Sequence, residues 1–139
     1  MANVGASPGG PGNRPLSPHL QIYAPLLNMV MSIVHRLTGA ALYFGAVLLA
    51  AWLIAVAAGP ATYAYANDLF GTWPGRIVVL GYTWALLHHL LGGLRHLLWD
   101  TGRGFKLSTI DALGWASIIG SVTLTALVWG VALSLRGWW

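Results

Sequence analysis

Ile77-Val-Val-Leu-Gly-Tyr-Thr-Trp-Ala-Leu-Leu-His88-His89-Leu-Leu-Gly92-Gly93-Leu-Arg95-His96-Leu-Leu-Trp99-Asp100 is an apolar run with ionisable side chains set into it. About 20 apolar residues cross a hydrocarbon core, so Ile77–Leu94 reads as a membrane span. An ionisable side chain inside a bilayer costs roughly 2.5–3.5 kcal/mol on insertion scales and usually serves a site. His89 and His96 are seven residues apart. On a helix that is two turns, which puts both imidazoles on one face about 10 Å apart. Gly92 and Gly93 leave that face without bulk, so a flat macrocycle has room to dock there.

The rest of the chain agrees with a membrane setting. Leu37–Ala58 and Ala112–Leu135 hold no charged residue, and each is long enough to span. The expected fold is therefore an all-α membrane protein with three transmembrane helices and a flexible N-terminal arm. The first helix is expected to begin near Asn28, and Gly59-Pro60 to end it. Pro74 suits the first turn of the second, and Gly102 and Gly104 help to stop it. Ser108-Thr-Ile-Asp111 resembles a capping box opening the third. Residues 1–25 form the arm, rich in Gly, Pro, Ala and Ser, and residues 26–139 form the membrane domain.

Composition narrows the function. Of the 139 residues 57% are hydrophobic and 7% charged, and the mean hydropathy is +0.68. A soluble domain carries about 25% charged residues. There is no cysteine, which excludes disulfides, iron–sulfur clusters and thiolate metal sites within the chain. The net charge of +4 is scattered and reads as membrane topology, with no nucleic-acid surface. Arg14, Arg36, Arg95, Arg103 and Lys106 fall on one side of the spans, and Arg76 and Arg136 on the other. The excess puts the N-terminus in the cytoplasm. Trp73, Trp138 and Trp139 would mark the outer interface, and Trp99 and Trp115 the inner one.

Two groups of residues carry possible chemistry. An imidazole nitrogen ligates haem iron axially, and His89, well inside its span, is the first candidate. His88 points about 100° away and is the competing ligand. His96, nearer the inner face, can meet a haem propionate or join a proton path. The plainer reading is that these histidines hydrogen-bond between helices. The second group is Ser32-Ile-Val-His35-Arg36-Leu-Thr38-Gly39. Ser32 and Arg36 share a helix face, which continues through Gly39 and Tyr43. Arg36 there can pair with a propionate, polarise a carbonyl, or simply anchor the helix end by snorkelling.

Three motifs together resemble a known family: Arg14-Pro-Leu-Ser-Pro-His19-Leu-Gln-Ile-Tyr23, then Ser32-x-x-His35-Arg36-x-Thr38-Gly39, then His89-x-x-x-Gly93-Leu-Arg95-His96-x-x-Trp99-Asp100-x-Gly102. In order and spacing they are similar to the cytochrome b556 membrane anchors of succinate dehydrogenase. The resemblance implies a non-catalytic anchor subunit of respiratory complex II. Its partners would be a flavoprotein that oxidises succinate, an iron–sulfur subunit, a second membrane anchor and the lipid bilayer. It implies a haem b shared with the second anchor, with His89 as the axial ligand of the iron. His35, Arg36 and His96 match positions near the haem, and Ser32 and Arg36 match the ubiquinone pocket. The first motif and the missing presequence imply a multi-pass protein of a bacterial inner membrane rather than a mitochondrial one. The alternatives are the anchor of a fumarate reductase, a non-redox membrane scaffold, and a small transporter with a histidine relay.

Overall fold

A computed structural model describes residues 22–136, and every regular element among them is a helix. The order is α1 (Leu27–Ala58), α2 (Pro60–Gly71), α3 (Trp73–Asp100) and α4 (Leu107–Arg136). Helices α1, α3 and α4 are long and apolar enough to cross a membrane, as the sequence predicts. The first 21 residues, which hold most of the expected arm, lie outside the described residues, as do Trp138 and Trp139.

Local chemistry sets the ends. Pro25 precedes an extended Leu26, whose carbonyl accepts from the Met29 and Val30 amides at 3.0 and 3.2 Å to start α1. Gly59 ends α1 at φ 118°, a conformation that costs a glycine little. Pro60 directly after it opens α2 at a position where the missing N–H goes unused. Helix α2 is a correction to the sequence reading, which took Gly59-Pro60 only as a stop and left 60–71 without structure. Thr72 caps α3, its hydroxyl accepting from the Gly75 amide at 3.3 Å, and Pro74 lies in the first turn as expected. Gly102 and Gly104 have φ of 76° and 83° and end the helix. The capping-box expectation fails. The Lys106 carbonyl accepts from the Ile110 amide at 2.9 Å, so Ser108 is already inside α4 and Lys106 stands at its start.

Helix α3 is the centre of the bundle and packs against α1, α2 and α4. The interior is the reverse of a soluble core. Among the described residues its buried apolar members are Met31, Ala55 and Ala85, beside buried Thr38, His88, Arg95, Ser117, Ser121 and Thr125. Large apolar side chains such as Phe44, Ile54, Leu90 and Leu127 face outward. Lipid tails are as apolar as leucine, so they offer no drive to bury it. Close backbone approach and interhelical polar contacts hold such helices together. Gly114, Ser117, Ser121 and Thr125 accordingly line one face of α4, and Ala85, His88, Gly92 and Arg95 are the buried positions of α3. The hydroxyls of Ser117, Ser121 and Thr125 donate to the carbonyls of Leu113, Ile118 and Ser121 at 2.7–2.9 Å, so none is left unpaired in the seam.

Candidate functional site: histidines on the α1–α3 seam

His35 of α1 enters the seam between two glycine-lined surfaces. A Cβ on Gly92 would collide with the His35 ring, and one on Gly39 would stand 3.0 Å from His89 Cε1. These two glycines let a pair of imidazoles fit where larger residues would keep α1 and α3 apart. The His35 and His89 rings stack with centroids 4.0 Å apart and planes 3° from parallel. His96 lies 5.2 Å from His35 at 47° and meets Trp99 edge-on at 5.2 Å. The two-turn spacing thus does place His89 and His96 on one face, with His35 between them.

The hydrogen bonds fix the state of His89. Its Nδ1 is 3.1 Å from the His35 carbonyl and 3.3 Å from Thr38 Oγ1. A carbonyl only accepts, and the Thr38 hydroxyl, 2.9 Å from the Val34 and His35 carbonyls, sends its one proton there. Nδ1 of His89 therefore carries the proton, and in the neutral ring Nε2 keeps its lone pair. An imidazole whose second nitrogen donates to a backbone carbonyl is the arrangement that orients metal-ligating histidines. Among the described residues no three His, Asp or Glu side chains converge on a metal by themselves, so iron here would need a macrocycle to complete its coordination. The residues fit that group: a tautomer-fixed, half-buried His89 and an exposed His96 below it.

His88 is placed differently. It is 2% exposed, turned to α4, with Nδ1 3.1 Å from Ser121 Oγ and its ring against Trp84 at 5.2 Å. Ser32, Arg36 and Tyr43 are exposed along α1, and no hydrogen bond or ion pair among the described residues involves Ser32 or Arg36.

One sequence reading changes. Of the two adjacent glycines on α3, Gly92 makes room for the His35 ring, while Gly93 has nothing within 4 Å of where its Cβ would lie. Arg95 is buried on the α4 side and shares the Trp99 ring with His96. It is 5% exposed, 5.2 Å over the Trp99 ring, and its Nη1 would be 3.8 Å from a Cβ on Gly114 of α4. Sequence reasoning also missed the anchoring role of Thr38 and of the His35 carbonyl. Thr38 lay within a motif already singled out, but only the fold brings it to His89. An apolar hollow of about 520 Å³ among α1, α2 and α3, lined by Phe44, Leu48, Trp52, Phe70 and Tyr82, involves none of the histidines.

Fold and site together define a three-span helical membrane protein with a histidine cluster on one interhelical seam. The chain belongs to the succinate dehydrogenase/fumarate reductase transmembrane subunit family, whose family model matches residues 11–128. It is 46% identical to the succinate dehydrogenase cytochrome b556 subunit of Paracoccus denitrificans, over 84% of this chain and 89% of that protein. It is 39% identical to the subunit of the same name from Rickettsia conorii, over 84% and 90%. A mitochondrial relative, the succinate dehydrogenase cytochrome b560 subunit of Bos taurus, is 35% identical over 83% and 72%.

Proposed function

We propose that this chain is the haem-binding, quinone-reducing membrane anchor of a succinate:ubiquinone oxidoreductase. It would work beside a flavoprotein, an iron–sulfur subunit and a second anchor in a bacterial inner membrane, with its N-terminus in the cytoplasm. The observation that carries the reading is the bond from His89 Nδ1 to the His35 carbonyl, which leaves Nε2 as a ligand nitrogen. One such nitrogen is half of a two-histidine set, so the second ligand comes from the other anchor. His35, stacked on His89, and His96, tilted against His35 on the same seam, are placed to receive propionates, with Arg36 one residue further along α1. When bound, the haem would supply a one-electron carrier. His88 is set aside as ligand because its ring is enclosed between Trp84 and Ser121.

Ser32 and Arg36 form the quinone side of the reading. Ubiquinone takes up two electrons and two protons to become the quinol, and negative charge builds on its carbonyl oxygens as electrons arrive. A fixed guanidinium and a hydroxyl stabilise that charge far better in a low-dielectric pocket than in water. Both side chains are exposed on this chain, where partner subunits would close the pocket around them.

His89→Ala should abolish or convert the low-spin b-type spectrum of the assembled complex, while His88→Ala keeps the haem bound and low-spin. The reverse pattern would refute the assignment, and a complex with no Soret band would refute haem binding altogether. Ser32→Ala and Arg36→Leu should each slow electron transfer from succinate to quinone. Succinate oxidation by a soluble artificial acceptor should survive in both. Unchanged quinone turnover and affinity in assembled Ser32→Ala would remove Ser32 from the pocket.

A further inference from the structure

We infer that the His88–Ser121 hydrogen bond is a rotational lock on α3 that sets where the His89 imidazole stands, making His88 a positioning residue for the haem; this rests on His89 being the axial ligand. His88 and His89 are consecutive, so their side chains leave the helix about 100° apart. One is held by α4 and the other faces α1. Any turn of α3 about its axis moves both.

The bond is fully specified. Ser121 is 0% exposed, and its hydroxyl donates to the Ile118 carbonyl at 2.9 Å. Its one proton is therefore spent, and toward His88 Nδ1, 3.1 Å away, it acts as acceptor. His88 is thereby held as the Nδ1–H tautomer, with the Trp84 ring against it at an interplanar angle of 29°. The other ring nitrogen, Nε2, is buried without a hydrogen-bond partner. That orphan works against stability, since a buried polar atom left unpaired forfeits its hydration. Leucine would fill the same seam without it. Packing alone thus gives no reason for an imidazole at 88, whereas a directional bond to α4 does.

The lever is short and sensitive. Side-chain tips lie about 6 Å from a helix axis, so a 10° turn of α3 moves His89 Nε2 by about 1 Å. A functional constellation tolerates errors of only about 0.5 Å and 10–20°. Small residues along α4, Gly114, Ser117 and Ser121, give little steric resistance to such a turn, so directional bonds set the angle. They are His88–Ser121 in the buried α3–α4 seam at the level of the histidines, with Trp129 Nε1 donating to Thr83 Oγ1 at 3.4 Å further along it, and His89 bonded to the His35 carbonyl on the α1 side.

The test uses the purified four-subunit complex and reads the haem rather than turnover alone: its low-spin g values, its midpoint potential and its thermal stability. Ser121→Ala and His88→Leu both remove the bond, and each should shift the g values and the potential while haem stays bound. His88→Asn carries an N–H close to the position of Nδ1 and should restore both toward the parent values. If either bond-deleting variant assembles with full haem content and parent spectra and potential, the lock is refuted, even where its melting temperature falls. A shift in His88→Asn as large as in His88→Leu would refute it too. Ser121→Ala and His88→Leu attack the bond from opposite partners, so failure of one to assemble leaves the other decisive. Persistence of the low-spin spectrum in His89→Ala would instead refute the ligand assignment beneath the inference. Loss in His89→Ala with no shift in the lock variants refutes the lock alone.

Discussion

Gly92→Ala places a methyl group inside the space of the His35 ring. The added Cβ would overlap Nδ1 and approach Cε1 at 2.9 Å and Cγ at 3.4 Å. The obstructing group is a ring stacked 4.0 Å from His89 and 5.2 Å from His96, so it cannot yield as the tip of a flexible chain would. Forcing volume into a packed seam costs about 1–3 kcal/mol, and overlap with ring atoms belongs at the upper end. Alanine returns up to about 1 kcal/mol of helix propensity. The net expected loss is about 2 kcal/mol, roughly 30-fold in the equilibrium between packed and separated α1 and α3. Gly93→Ala is the internal control. Nothing lies within 4 Å of its Cβ position, so it gains propensity without the overlap. Denaturation of the detergent-solubilised protein by SDS titration should place Gly92→Ala below the parent and Gly93→Ala at or above it. Haem retention should follow the same order. Equal stability of the two variants would refute the claim that Gly92 admits His35 to the seam.

Further expectations follow from other contacts. Gly45→Ala would collide with the Tyr82 ring, so it should lower stability by about 1–3 kcal/mol. Much of that loss should return in the Gly45→Ala/Tyr82→Ala double variant relative to Tyr82→Ala, measured as a double-mutant cycle. Thr72→Ala removes the side-chain cap of α3 and should cost about 1 kcal/mol in the same SDS titration, whereas Thr72→Ser should be close to neutral. Topology rests on the excess of Lys and Arg at the N-terminal side and in the α3–α4 connection. A periplasm-dependent phosphatase fused after Lys106 should be inactive and one fused after Trp139 active; the opposite result would invert the orientation.

How much of this was legible in the sequence follows from the physics of the bilayer. A span must satisfy its own backbone hydrogen bonds, and only a long apolar helix or a closed barrel does so. Apolar runs therefore located α1, α3 and α4. Gly59, Pro60, Pro74, Gly102 and Gly104 punctuated them, because glycine admits the positive φ that ends a helix and proline fixes φ and removes a donor. Helix α2 stayed hidden, since a 12-residue segment between two spans has no span-length signal and Pro60 was read only as a stop. The start of α4 slipped because Ser108 had the right residue type for a cap, but Lys106 occupied the position.

The sequence by itself determined the membrane class, the helical spans, and the shared face of His89 and His96, all consequences of a 3.6-residue period acting on one segment. It ranked His89 above His88 without being able to say what either touches. Only the tertiary structure turned His88 toward Ser121 and His89 toward the His35 carbonyl. Only it packed Gly92 against the His35 ring while leaving Gly93 open, and buried Arg95 toward α4 while leaving His96 exposed. Those assignments depend on which neighbouring helix lies at each angle around α3, and on how closely small residues let the helices approach. Both are properties of packed pairs and cannot be read from the periodicity of one strand of sequence.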